Sequence, residues 1–247
     1  MAYQKNRDRV RETLLKSGIV VVMNKKHVKK PEDLVKTMWE VYQAGLVAEA
    51  TFRIDAGLLK EAMTELVRMQ EEVPADKPFI LGCGSIINPA ELEQAIEMGF
   101  DMIVAPGNVM GGYGDGLEFI KIAQVENVFT APAILTPTEL QYFIERPDGL
   151  EPDAIKVFPA GVHGASGIKT LLAPYVRERH EGRIIMPTGG VNFETGPKFQ
   201  EAIKSAGYLP VLGMSAPLKY VEDTGKAGDV ETIKKSLELF KEKFESA

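Results

Sequence analysis

Eight short apolar runs alternate with eight helical segments along 247 residues, which predicts an α/β chain folded as a single (β/α)8 TIM barrel. The length agrees, since barrels of this kind commonly fill about 250 residues as one unit. No composition break, long linker, internal repeat or low-complexity stretch divides the chain. One domain is therefore expected over residues 1–247: a capping helix in 1–17, a barrel core over 18–218 and an extended C-terminal helix in 219–247.

In the N-terminal stretch, Val10, Leu14 and Leu15 give one apolar face amid basic and acidic residues, as in a short helix that caps a larger body. Ile19-Val-Val-Val-Met23 reads as a buried parallel strand. Pro31 opens a helix carrying Leu34, Met38, Val41 and Tyr42, and Gly45 stops it. The second strand is expected over 47–53, followed by a helix over 58–69. Strand three covers 79–83, a helix starting at Pro89 runs to Met98, and strand four covers 101–105. A helix over 117–124, strand five over 128–130 and a helix over 137–144 come next. Strand six contains Lys156, helix 168–176 follows, and strand seven covers 183–186. Helix 193–206 and strand eight over 208–212 complete the alternation. Ile233, Leu237, Phe240 and Phe244 then recur at helical spacing, in a segment expected to cross the barrel bottom.

The formal net charge of −6 gives no electrostatic pull towards nucleic acid or an anionic membrane. No apolar run approaches the roughly 20 residues needed to span a bilayer, and the N-terminus lacks an apolar signal core. The single cysteine, Cys83, suits a reducing compartment, so a cytoplasmic location is expected. His27, His163 and His180 are scattered, and no metal or cofactor is expected.

Active sites of such barrels lie where strands end. In Val47-Ala-Glu-Ala-Thr-Phe-Arg53 the alternation of strand side chains puts Glu49, Thr51 and Arg53 on one face. A buried strand should be apolar on both faces, so the three mark either a structural ion pair or a polar lumen in which Glu49 works as a general acid and base. In Ala154-Ile-Lys-Val-Phe-Pro-Ala160, Lys156 shares a face with Ala154 and Phe158, which can form an apolar wall. An amine that snorkels to water is one reading. A desolvated, nucleophilic amine able to form a Schiff base is the other. Pro187-Thr-Gly-Gly190 and Gly213-Met-Ser215 end strands seven and eight, where barrels often hold phosphate on exposed backbone N–H groups. Thr188 and Ser215 add hydroxyl donors.

Taken in order, Glu49-Ala-Thr-Phe-Arg53, Gly82-Cys-Gly-Ser-Ile-Ile-Asn-Pro89, Ala105-Pro-Gly107, Leu135-Thr-Pro-Thr-Glu139, Lys156-Val-Phe-Pro-Ala160, Pro187-Thr-Gly-Gly190 and Gly213-Met-Ser215 carry a resemblance. Over residues 18–218 the chain resembles the Schiff-base aldolases that act on 2-keto-3-deoxy-6-phosphogluconate and 4-hydroxy-2-oxoglutarate. The resemblance implies a class I aldolase in carbohydrate metabolism of the Entner–Doudoroff type, releasing pyruvate and an aldehyde, and a homotrimer. It implies that Lys156 forms the imine and Glu49 shuttles protons. Arg53 and Thr136 would hold the keto-acid carboxylate, Ser85 and Pro106 would line the site, and Gly189, Gly190 and Ser215 would receive phosphate. Two departures stand out: Asn24 where the family usually has arginine, and a long glycine-dense loop over 106–116. A phosphate-binding barrel isomerase or epimerase is the alternative enzyme, and a non-catalytic sugar-acid-binding barrel the alternative outside catalysis.

Overall fold

The computed structural model describes residues 3–107, 117–146, 149–175 and 177–246. Its parallel strands are β1 (Ile19–Met23), β2 (Val47–Thr51), β3 (Leu81–Gly84), β4 (Met102–Val104), β5 (Phe129–Ala131), β6 (Ala133–Ile134), β7 (Ala154–Val157), β8 (Ile184–Pro187), β9 (Leu209–Pro210) and β10 (Leu212–Met214). Between and around them lie α1 (Arg7–Ser17), α2 (Pro31–Gln43), α3 (Ala56–Glu72), α4 (Pro89–Glu97), α5 (Leu117–Val125) and α6 (Pro137–Ile144). The second half adds α7 (Gly164–Leu172), α8 (Arg177–His180), α9 (Gly196–Ser205), α10 (Lys219–Thr224) and α11 (Val230–Glu245).

The strands pair in two blocks, β10-β1-β2-β3-β4-β5 and β6-β7-β8-β9. The blocks share two stretches of chain. β5 and β6 flank Pro132, which has no N–H to give the ladder; its carbonyl accepts the Lys156 amide at 3.0 Å. β9 and β10 flank Val211, whose amide donates to Ile185 O at 3.1 Å, while the next amide, of Leu212, donates to Gly18 O at 2.9 Å. One stretch thus leans first on β8 and then on β1, and eight staves close the barrel.

Side-chain alternation divides the core in two. Ile155 and Val157 join the shell between strands and outer helices. Ala154 points inward, with Val20, Val47, Ile80, Phe129 and Ile184, onto Val10 and Leu14 of α1. Helix α1 begins because Asn6 caps it, accepting from Arg9 N at 2.9 Å, and ends at Gly18 in the left-handed region (φ 67°). Val10 and Leu14 are fully buried and plug the N-terminal mouth. Arg7 and Asp153 pair at 2.5 Å, and Tyr3 donates to buried Asp101 at 2.9 Å, pinning the segment.

Several expected boundaries move. Strand two stops at Thr51: Phe52 N still gives the last ladder bond, to Gly84 O at 2.7 Å, and then Ile54 N folds back to Thr51 O at 2.9 Å. Strand eight shifts towards the C-terminus, so Gly213 lies within β10, paired with Val20. Helix α7 starts at Gly164, ahead of the expected 168, where tertiary contacts override poor glycine propensity. Helix α9 starts at Gly196 because Asn192 Oδ1 accepts from Glu194 N and Thr195 N in a preceding turn. The C-terminal segment is two helices, since Gly225 ends α10 in the left-handed region (φ 66°) and Asp229 caps α11. Helix α11 packs on α2, and its Phe244 meets α9 at Gly196. It therefore completes the outer ring and does not cross the barrel bottom.

Candidate active site

Glu49, Thr51, Lys156 and Thr188 are all buried, on staves whose inward faces form the lumen. Glu49 stands level with Val22 and Gly82, and Lys156 level with Ala133 and Met186. The space that the Glu49 carboxyl occupies exists because residue 84 is glycine. A Cβ there would lie 1.6 Å from Glu49 Oε1. Gly213 does the same for Thr188, whose Oγ1 lies 2.3 Å from the position of an added Cβ. Glycine within a strand marks such close approaches.

Burial governs the electrostatics. It pushes the Lys156 ammonium below the ordinary lysine value, partly opposed by the negative charge of Glu49. It pushes the Glu49 carboxyl upward, partly opposed by Lys156. The two groups therefore sense one another across the lumen: burial shifts each towards its neutral form, and their mutual attraction opposes the shift. Lys156 Nζ stands 4.8 Å from the centroid of the Phe158 ring. That ring also closes against Gly189, where an added Cβ would come within 3.0 Å of it. The hydroxyl of Thr51, two residues beyond Glu49 on the same face, is buried with no hydrogen-bond partner among the described residues. A polar atom left so in a lumen is suited to a ligand or a water.

At the strand ends, Ser85 takes a left-handed conformation (φ 62°) just after β3, and half-buried Pro106 follows β4. Gly189 and Gly190 are left-handed (φ 79° and 84°), and exposed Ser215 follows β10. Thr188 pairs with Gly213 across the barrel seam, so the two loops adjoin.

Two expected residues are engaged elsewhere. Arg53 lies beyond the strand, half-exposed, and its guanidinium pairs with Glu91 at the start of α4. This corrects its placement on the inward face beside Glu49 and Thr51. Thr136 caps α6; its hydroxyl donates to Glu139 Oε2 at 2.8 Å. Asn24 Oδ1 accepts from Lys26 N at 2.9 Å in a tight turn after β1. His163 is half-buried, with Nε2 2.8 Å from Leu135 O. Of the glycine-dense loop, 108–116 lie outside the described residues. Among the described residues no group of three or more His, Cys, Asp or Glu is placed to hold a metal ion, and no helix is long and apolar enough to cross a membrane.

Residues 10–215 match the family profile described as KDPG and KHG aldolase. The chain belongs to that family. Within it, the chain is 28% identical over 228 residues to the KHG/KDPG aldolase of Escherichia coli strain K12, covering 91% of each. It is 28% identical over 156 residues to the 2-dehydro-3-deoxy-phosphogluconate aldolase of Zymomonas mobilis strain ZM4, a match that spans 63% of each protein. Among solved structures, the 2-keto-3-deoxy-6-phospho-gluconate aldolase of Zymomonas mobilis ATCC 29191 superposes with a TM-score of 0.67 at 22% identity, covering 95% of this chain and 96% of the other. That likeness supports the barrel fold.

Glu91 and Glu139, the side-chain partners of Arg53 and Thr136, are the contacts that strand-based reasoning missed. Asn88-Pro-Ala-Glu91 and Thr136-Pro-Thr-Glu139 both follow the helix-capping pattern, with a glutamate three residues after the cap. That pattern was the available signal.

Proposed function

We propose that this chain is a class I aldolase that cleaves 2-keto-3-deoxy-6-phosphogluconate or 4-hydroxy-2-oxoglutarate through an imine on Lys156. The observation that carries this reading is one buried lysine facing one buried glutamate inside the lumen, each held towards its neutral form. A neutral amine attacks the C2 carbonyl, and loss of water from the carbinolamine gives the iminium, an electron sink. Glu49, in its carboxylate form and acting through a water, takes the proton of the C4 hydroxyl. The C3–C4 bond then breaks; its electron pair flows into the iminium to give an enamine, and the aldehyde leaves as glyceraldehyde 3-phosphate or glyoxylate. Glu49 returns the proton to C3, and water hydrolyses the resulting iminium to release pyruvate and regenerate Lys156.

Phe158 provides the apolar wall beside the amine, and Thr51, Ser85 and Pro106 line the approach. Arg53 holds the keto-acid carboxylate. Thr188, Gly189, Gly190, Gly213 and Ser215 receive the phosphate, where two left-handed glycines let backbone N–H groups turn to an anion. The chain works as one barrel domain, assembles as a homotrimer and acts in the cytoplasm. Pyruvate release from each keto acid, followed with a coupled dehydrogenase, tests the reading. Turnover by the natural chain and none by Lys156→Met supports it; equal release by both defeats it.

A further inference from the structure

The carboxylate of Glu91 joins two parts of the barrel mouth. Its Oε2 accepts from Ile87 N at 3.0 Å, fixing the loop that follows β3. Its own N–H is held by the cap, donating to Asn88 Oδ1 at 2.9 Å. Its Oε1 accepts from Nη2 of Arg53, which comes from the end of the neighbouring stave β2. The side chain of Glu91 is 15% exposed and that of Arg53 49%, so the glutamate is the fixed partner and the arginine the one facing water. Among the described residues the fork gives one hydrogen bond, from Nη2; because Nη2 carries two hydrogens and belongs to both bidentate edges, the edge that pairs its second hydrogen with Nε or Nη1 stays open to a ligand. A planar fork with a free edge matches a carboxylate through parallel hydrogen bonds.

The comparison with α6 is informative. There Glu139 Oε2 accepts from Leu135 N, Thr136 N and Thr136 Oγ1, each at 2.8 Å, closing on its own cap. Glu91 uses the same fold-back but extends its second oxygen to a cation from another stave. Arg53 follows the end of β2 two residues after buried Thr51, which puts the pair at the mouth where the strands end.

We propose that Glu91 is a positioning residue for the reaction proposed above. It tethers one nitrogen of Arg53 at the lumen mouth and presents the free edge, so that the site selects substrates bearing a carboxylate beside the carbonyl. Without the tether, a long side chain that is half in water samples many rotamers and loses that preorganisation.

The test compares trapping of pyruvate with trapping of pyruvamide, its neutral counterpart, by borohydride reduction. Glu91→Gln retains an acceptor for Ile87 N–H but loses the charge that holds Arg53. It should raise the half-saturating pyruvate concentration about threefold to fivefold, the scale of an exposed ion pair. Pyruvamide half-saturation and the limiting trapping rates should stay unchanged, and the effect should vanish in an Arg53→Gln background. Glu91→Asp, charged but one methylene short, should give the same selective loss and guards against a folding defect peculiar to glutamine. Equal losses for both ligands, no loss, or a loss that persists without Arg53 would overturn the role of Glu91. No trapping by the natural chain would overturn the aldolase reading instead.

Discussion

Gly84→Ala is the substitution whose consequence the geometry specifies most closely. The new Cβ would stand 1.6 Å from Glu49 Oε1, 2.4 Å from Cδ and 2.9 Å from Cγ. Ordinary heavy-atom contact is about 3.5 Å, so the carboxyl must withdraw by roughly 2 Å. Residue 84 lies outside the left-handed region, so alanine meets no backbone strain. The obstructed atoms are the end of a flexible side chain, so the cost falls on the position of Glu49 more than on the fold. Overpacking should cost about 1–3 kcal/mol of stability. A displaced proton carrier should lower kcat at least about 100-fold, given that general acid–base catalysis contributes 10²–10⁴ and a 1 Å misplacement alone can cost about 100-fold. Coupled pyruvate release measures this, with borohydride trapping in parallel. Turnover should fall while trapping persists, and adding Glu49→Gln should cause little further loss, because the two changes remove one function. A folded Gly84→Ala protein with kcat within about threefold of the natural chain would refute the placement of the proton carrier.

Other perturbations follow from the same geometry. The rate of pyruvate trapping should rise with pH through a lysine midpoint below the ordinary 10.5, because burial disfavours the ammonium and only the free amine attacks. Glu49→Gln should move that midpoint lower still, since the lost carboxylate charge is what raises it; a pH series of trapping rates reads both. Gly213→Ala puts a Cβ 2.3 Å from Thr188 Oγ1. It should raise KM for a phosphorylated keto acid about tenfold, the scale of one weakened hydrogen bond to a charged group, and leave the unphosphorylated substrate unaffected. Leu14→Ala removes a fully buried plug residue and should cost about 2–5 kcal/mol in urea denaturation without changing kcat.

The barrel and its central pair were legible because both rest on short-range periodicity. Runs such as Ile19–Met23 are apolar on every residue, as a strand covered on both faces requires. Two-residue alternation alone puts Ala154 and Lys156 inward and Ile155 and Val157 outward. Arg53 leaves the inward face because the alternation ends with the ladder: after Phe52 N bonds Gly84 O, Ile54 N folds back to Thr51 O. Its partner, Glu91, lies 38 residues away, beyond the reach of any periodic pattern. Gly213, expected just past strand eight, instead lies inside β10, where its lack of a side chain leaves room for Thr188. The break between α10 and α11 was visible in Thr224-Gly-Lys-Ala-Gly-Asp229 as a glycine stop followed by an aspartate cap. Helical spacing further on obscured it.

The account stands on Lys156 acting as the nucleophile. Incubating the protein with pyruvate and borohydride, followed by peptide mass mapping, measures that directly. One reduced pyruvate adduct, confined to the peptide that carries Lys156 and absent from Lys156→Met, is the predicted result. No adduct at any pH, or an adduct on another lysine that survives Lys156→Met, would contradict it.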